Sequence, residues 1–524
     1  MPVDFLTSDQ KQNYGCYAAE PNDVQLARYF HLDERDLAFI NQRRGKHNRL
    51  GIALQLTTAR FLGTFLTDLT QVLPGVQHFV AVQLNIHRPE VLSRYAERDT
   101  TLREHTALIK EYYGYHEFGD FPWSFRLKRL LYTRAWLSNE RPGLMFDFAT
   151  AWLLQNKVLL PGATTLVRLI SEIRERANQR LWKKLAALPN KWQAAQVMEL
   201  LVIPEGQRVS ALEQLKKGPV TVSGPAFNEA LERYIRLRSL EFSRLNFSGL
   251  PAIQLRNLAR YAGMASVKYI ARMPQQRKLA VLTAFVKAQE ITALDDAVDV
   301  LDMLILDIIR EAKKTGQKKR LRTLKDLDQA ALLLARACAL LLDDNTDVPD
   351  LRQVIFKCVP KNRLAESVSK VNELARPQNN NFHDEMVEQY GRVKRFLPAV
   401  LRDLHFRAAP AGEHVLAAIH YLAELNGSKK RILDDAPEHI ITGPWKRLVY
   451  DAEGRIQRAG YSLCLLERLQ DALRRRDIWL ENSDRWGDPR EKLLQGEEWQ
   501  TQRIPVCRAL GHPVDGRKGG QQLA

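Results

Sequence analysis

The feature that most constrains this chain is a run of 37 residues, "KLAVLTAFVKAQEITALDDAVDVLDMLILDIIREAKK" (Lys278–Lys314), in which apolar residues recur at helical spacing without a turn signal. Leu294, Val298, Leu301, Ile305 and Ile308 follow the i, i+4, i+7, i+11, i+14 rule, so they form one stripe along a single long helix. Most other segments share that period. Strand alternation stands out once, in "KRLVYDAEGRIQRAGY", where a turn at Gly454 sets Leu448 and Tyr450 opposite Ile456 as in a hairpin. The expected class is mainly α: tandem helix-turn-helix units, then a long-helix bundle or scaffold, with one small β-hairpin near the C-terminus.

A chain of 524 residues is too long for one hydrophobic core. The pattern divides it into five stretches: a helix-turn-helix domain over 1–68, a second helical domain over 69–188, a linker and basic helical region over 189–265, a scaffold over 266–430, and a hairpin-plus-helix region over 431–524. "KKGPVTVSGPAF" reads as the linker within the third, and "RPQNNNFHDE" (Arg376–Glu385) as a loop within the fourth.

Lys and Arg number 78 against 61 Asp and Glu, giving a net charge of +17 spread along the chain. Such a field attracts polyanions, and nucleic acid is the leading partner. The five cysteines, Cys16, Cys338, Cys358, Cys464 and Cys507, lie far apart with no CxxC pair, which excludes a cysteine-rich zinc module and suits a reducing cytosol. No apolar signal core and no run of about eighteen apolar residues occurs, so no membrane partner is expected and the reading is cytoplasmic, at the nucleoid.

Two basic joints carry the candidate DNA contacts. In the first, Arg43, Arg44, Lys46, His47, Asn48 and Arg49 precede a helix whose Leu50, Leu54, Thr57 and Phe61 face a core. Asn48 is a candidate N-cap, and Asn and Arg are the side chains that pair bidentately with adenine and guanine. In the second, "LPGA" breaks a helix and Thr164 or Thr165 caps the next. There Leu166, Leu169 or Ile170, Ile173, Ala177, Leu181 and Leu185 form the apolar stripe, with Arg168, Arg176 and Lys183 on the other side. A helix-turn-helix sets the first turn of such a helix into the major groove.

Other clusters read as structural. The basic run Lys313–Asp326 around Gly316 suggests a solvated corner between two helices. Asp295, Asp299 and Asp302 share one helix face and read as a solvated or salt-bridged ladder; two-metal nucleases gather carboxylates from separate strands and loops instead. His383, Asp384 and Glu385 fall in a polar loop, and His414 and His420 are outside the i, i+4 metal spacing. Phosphate-loop, GxSxG and HExxH motifs are missing.

The segment Gly454–Leu494 is a turn into an amphipathic helix, a basic tract Arg474–Arg476, and an aromatic pair, Trp479 and Trp486. It resembles the stretch leading into the catalytic domain of the replicative bacterial transposases of the Tn-three family. "YFHLDERDLAFINQRRGKHNRLGIALQLTTARFLGTF", "VLLPGATTLVRLISEIRERA" and "RLRTLKDLDQAALLLARA" resemble earlier parts of the same family, in order. The resemblance implies that this half binds the terminal inverted repeats of a transposon as double-stranded DNA, with the long helices joining a homodimer. In the family a later ribonuclease-H-like domain carries a DDE carboxylate triad and Mg²⁺. The sequence given stops before those positions, so the expectation is recognition without catalysis: no catalytic residue and no cofactor here, Mg²⁺ belonging to the domain that follows in the family. The competing class is a helical scaffold or a non-specific RNA-binding protein.

Overall fold

The computed structural model describes residues 5–95, 99–342, 351–374 and 382–493, with scattered positions from 496 to 504. The fold is mainly α, and the sheets among the described residues are two antiparallel pairs of very short strands. The chain forms two compact units, one from 1–198 and 245–285, the other from 199–244 and 286–524.

The first unit is organised around the Lys46–Leu62 helix. Gly45, at φ 84°, starts it, and Gly63, at φ 74°, ends it in the left-handed conformation that glycine adopts without strain. Leu50, Leu54 and Thr57 are buried as expected, and Phe61 packs its ring 5.2 Å from Phe30. The other faces are buried too, so every residue from Leu50 to Ala59 is enclosed. Its polar members are satisfied inside: Gln55 donates to the Leu66 carbonyl at 2.7 Å, and Thr57 to that of Ala53 at 2.9 Å. Gly51 is required by packing. A Cβ there would stand 2.3 Å from the Tyr95 ring, whose hydroxyl is hydrogen-bonded to His105 Nδ1 at 2.9 Å. At the other end of the helix Arg60 clasps Asp36 with two bonds of 2.7 and 2.5 Å, and the Tyr113 hydroxyl donates to the same carboxylate.

A second core in this unit collects the Trp123–Leu137, Pro142–Gln155 and Ala163–Ala186 helices around Leu127, Leu131, Phe146, Leu153, Leu166 and Ile170. Farther along the last helix, Leu181 and Leu185 pack with Ala280, flanked by Trp136, Trp182 and Leu258.

In the second unit the spine is the Gln275–Leu341 helix, 67 residues long, which enters from the first unit's sequence. Leu294, Val298, Leu301, Ile305 and Ile308 are all buried, as their spacing requires. Gly316 is no corner. It lies inside this helix, and a Cβ there would meet Glu385 at 3.3 Å, so glycine admits the His383–Glu388 helix to close approach. The expected loop over Arg376–Glu385 is accordingly helical from His383 onward, while 376–381 lie outside the described residues. His383 is buried, stacked on Phe382 at 4.6 Å, with Nε2 3.6 Å from Glu467; the Trp445 indole donates to that carboxylate at 2.6 Å.

The aspartate ladder is salt-bridged, and its partners come from the segment after the Arg458–Arg475 helix and from that helix itself. Asp302 receives two bonds of 2.9 Å from Arg474. Asp299 accepts from the Trp486 indole at 2.7 Å and from Arg485, and Asp295 accepts from Ser483 and from the Arg485 backbone. Asp296 joins them, bound by Arg233 and Arg485. Burial raises the Asp295 carboxyl despite those hydrogen bonds.

The hairpin is only partly as expected. The Gly454 turn exists, with the Asp451 carboxylate accepting from the backbone of Glu453 and Arg455, and Tyr450 bridges Ile456. Leu448, however, lies in the Gly443–Val449 helix, because Pro444 starts a helix well and Trp445 and Val449 both bury at i, i+4. Ile456 instead pairs with Leu433, four residues before Pro437 in an earlier segment, and Phe406–Ala408 pairs with Ile478–Leu480.

Candidate nucleic-acid interface

The first basic joint is divided between structure and solvent. The Arg43 guanidinium lies 5.4 Å over the Phe39 ring. Arg49 donates from Nε to the Arg43 carbonyl at 2.9 Å, and Asn48 from Nδ2 to the Arg44 carbonyl at 2.9 Å. These bonds close the end of the Glu34–Asn41 helix and the turn after it. Asn48 is therefore not the N-cap. Gly45 holds that place, since the positive φ needed there is open to glycine. The His47 imidazole covers Gly45, with Cε1 2.8 Å from where a Cβ would be. Arg44 and Lys46 are exposed. Because the helix is enclosed from Leu50 to Ala59, and Arg60 beyond it is held by Asp36, its first turn is the part open to a nucleic acid.

The second joint presents more. The Ala163–Ala186 helix is N-capped by Gly162, so Thr164 and Thr165 stand inside the first turn, both exposed, and neither is the cap. Its apolar side is buried from Leu166 to Leu185 in the stripe that the spacing set out. The opposite side is open: Arg168, Arg176 and Lys183 are exposed, and at 100° per residue they fall with Thr164 within about a third of the circumference. At about 1.5 Å per residue the 24-residue helix runs about 36 Å, far longer than one groove crossing.

Sequence reasoning missed two cations at the edge of this face, toward the buried stripe. Arg180 lies 4.8 Å over the Trp136 ring and donates to the Tyr132 hydroxyl at 3.2 Å, while Lys184 reaches the same indole at 5.8 Å. The signal was a Trp and a Tyr four apart in "YTRAWL", unremarkable without the fold. Two acids interrupt the basic row. Glu172 sits 3.9 Å from Arg168, and Glu175 accepts from Gln179 at 3.0 Å. Beside this face a cleft of about 860 Å³ is lined by Arg168, Ser171, Arg174 and Asn178, with Phe5 and Pro142 opposite. Burial lowers the Arg174 pKa, though the side chain stays cationic at any working pH.

Among the described residues no group of three or more His, Cys, Asp or Glu could hold a metal ion, and no helix is long and apolar enough to cross a membrane.

Comparison with known proteins bears on the whole chain. Residues 5–173, which hold both joints, match the family described as "Domain of unknown function (DUF4158)". The transposase for transposon Tn501 of Pseudomonas aeruginosa is 30% identical over 512 residues, covering 97% of this chain and 51% of that protein. The transposase for transposon Tn1546 of Enterococcus faecium is 25% identical over 505 residues, 95% of this chain and 50% of its own. The transposase for transposon Tn4556 of Streptomyces fradiae is 32% identical over 336 residues, 59% of this chain and 38% of its own. The chain spans about half the length of the curated relatives it matches, and along nearly all of its own length it is similar to bacterial transposases.

Proposed function

We propose that this chain is the DNA-binding and dimerising portion of a Tn-three-family transposase, and that it recognises the terminal inverted repeats of its transposon. The observation that carries the reading is the exposed polar face of the Ala163–Ala186 helix, which places hydroxyls and an Arg at its N-terminal end and cations beyond them. The similarity to transposases over 97% of the chain supports it.

In this reading Thr164, Thr165 and Arg168 meet base edges, since a guanidinium reads guanine bidentately and a threonine hydroxyl can donate or accept. Arg176 and Lys183 meet phosphates, as do Arg44, Lys46 and His47 of the first joint. Arg43, Asn48 and Arg49 act indirectly, by fixing the turn. Glu172 and Glu175 repel phosphates placed against them and can accept from a cytosine amino group, which restricts how a duplex lies on the helix.

Dimerisation is assigned to the far part of the Gln275–Leu341 helix. Leu332, Ala335, Ala339 and Leu342 follow a 3-4-3 spacing and are all exposed, Leu332 by 64% and Leu342 by 80%. That spacing suits the seam of a two-helix coiled coil, with Leu342 one residue past the helix end.

A gel-shift comparison of a repeat-end duplex with a scrambled duplex of equal length tests the reading. Tighter binding to the repeat end is expected, and equal affinity sinks it.

A further inference from the structure

We propose that a cleft in the second unit, between the Leu397–Asp403 helix and the loop "NGSKKR" (Asn426–Arg431), grips the phosphodiester backbone of a DNA duplex without reading its sequence. The inference rests on the proposal that this chain binds DNA, and it adds a contact remote in sequence from both helix joints. The cleft encloses about 660 Å³. Five of the residues lining it, Lys394, Lys429, Lys430, Arg431 and Arg458, are cationic, and no carboxylate is among the residues that line it.

The five cations do different work. Arg458 is committed to the fold: it donates to the Ser428 carbonyl at 2.6 Å and to the Leu425 carbonyl at 3.3 Å. Those carbonyls follow the C-terminus of the Glu413–Glu424 helix, whose dipole would otherwise repel an anion. The bonds also fix the loop, which turns at Gly427 with φ 91°, a conformation that favours glycine. Lys430 is paired with Asp434 at 3.3 Å. Lys394, Lys429 and Arg431 remain, all exposed, and none of them forms an ion pair among the described residues. Lys394 lies 4.9 Å over the Tyr390 ring, which orders it without neutralising it. The floor is apolar, made by Leu397, Pro398 and Leu401.

Cations with no compensating acid, held on an ordered loop above an apolar floor, suit a chain of phosphates joined by sugars. Free phosphate shares the charge chemistry but not the length. Charge outweighs base-reading groups here: the loop's Asn426 amide is taken up by the Pro398 carbonyl at 3.0 Å, and the exposed amide among the lining residues is that of Gln457.

The test compares the full chain with the triple variant Lys394→Ala, Lys429→Ala, Arg431→Ala, measuring affinity for repeat-end and scrambled duplexes from low to moderate salt. The variant should lose about 2 to 3 from the slope of log K against log salt, at about 0.9 per phosphate, and weaken equally on both duplexes, with their ratio unchanged. An unchanged slope overturns the inference. A changed ratio with an unchanged slope also overturns it, by making the cleft a base reader. Inorganic phosphate competing with the duplex below millimolar concentration overturns the backbone assignment in favour of a phosphate pocket. All three side chains are exposed, so thermal melting should not move; if it does, Lys429→Gln with Arg431→Gln repeats the slope measurement. Should the wild-type chain bind both duplexes alike, end recognition fails, while a reduced slope in the variant still supports this cleft.

Discussion

Arg49 donates from its Nε to the backbone carbonyl of Arg43, 2.9 Å away, across the turn that joins two helices. A guanidinium so engaged holds the joint together and is not presented to a base edge. Arg49→Ala should therefore lower stability by about 1.5 kcal/mol, the low end for a hydrogen bond from a charged group, in a half-buried place. Its DNA affinity should fall uniformly across sequences. Arg44→Ala, at an exposed position, should leave the melting temperature alone and take about 1 from the salt slope. Melting curves and salt titrations of both variants separate the roles.

On the Ala163–Ala186 helix the two ends should behave differently. Arg168→Ala should relax preference at one base pair, costing about 1–3 kcal/mol on the preferred site and little on scrambled DNA. Lys183→Ala should weaken both duplexes alike. Competition assays with single-base-pair variants of the repeat end read the difference directly.

Gly51 faces the Tyr95 ring with no room for a methyl, the nearest ring carbon being 2.3 Å from a Cβ. Gly51→Ala should destabilise the first unit by about 1–3 kcal/mol, the usual penalty of overpacking. Gly143, in the first turn of the Pro142–Gln155 helix, has open space around its Cβ position. Gly143→Ala should be neutral or stabilise by up to about 1 kcal/mol. Chemical denaturation of the two variants gives the comparison.

Acid should weaken the first unit in two steps. Burial, aided by the nearby Arg43 charge, pulls the His105 pKa from 6.5 down to about 4. The unfolded chain then binds the proton first, so stability is lost as pH falls from 6.5 toward 4, by about 3 kcal/mol in total. Asp36 acts lower. Burial alone would raise it, but the hydrogen bonds from Arg60 and Tyr113 and the Arg60 charge hold it below its usual 3.8. Its contribution is present above 3.8 and disappears as pH falls through the depressed value. Stability measured between pH 4 and 7 should flatten in His105→Gln.

Leu332→Glu with Leu342→Glu should convert a dimer to a monomer in light scattering while each chain keeps its helicity. An unchanged mass would remove this seam from the account of assembly.

The stripes were legible because period and burial are the same information. Leu294 to Ile308 and Leu166 to Leu185 had to be one-sided, and both are buried. The aspartate ladder was legible as a face, but its partners were not: Arg474 and Asp302 are 172 positions apart, and no local pattern ties them. Caps were misread where glycine served. Asn48 and Thr164 carry capping side chains, yet the backbone at Gly45 and Gly162 takes the turn, which frees the threonine for the surface and turns the asparagine inward. Leu448 alternates like a strand residue, but Pro444 and the buried pair Trp445 and Val449 favour a helix by a longer-range packing that alternation does not record. At the candidate interface, the exposure of Arg168, Arg176 and Lys183 followed from their place opposite the apolar stripe, while the division of the first joint into exposed and committed cations depended on carbonyls that only the fold brings near.

The central claim is that this chain recognises transposon ends through an exposed helix face. It is tested most directly by the equilibrium affinity of the full chain for a repeat-end duplex and for a scrambled duplex, at one stated salt concentration near physiological. The account predicts at least about a thousandfold tighter binding to the repeat end, the lower bound for specific recognition, with the ratio reduced by Arg168→Ala. Equal affinities for the two duplexes would contradict it.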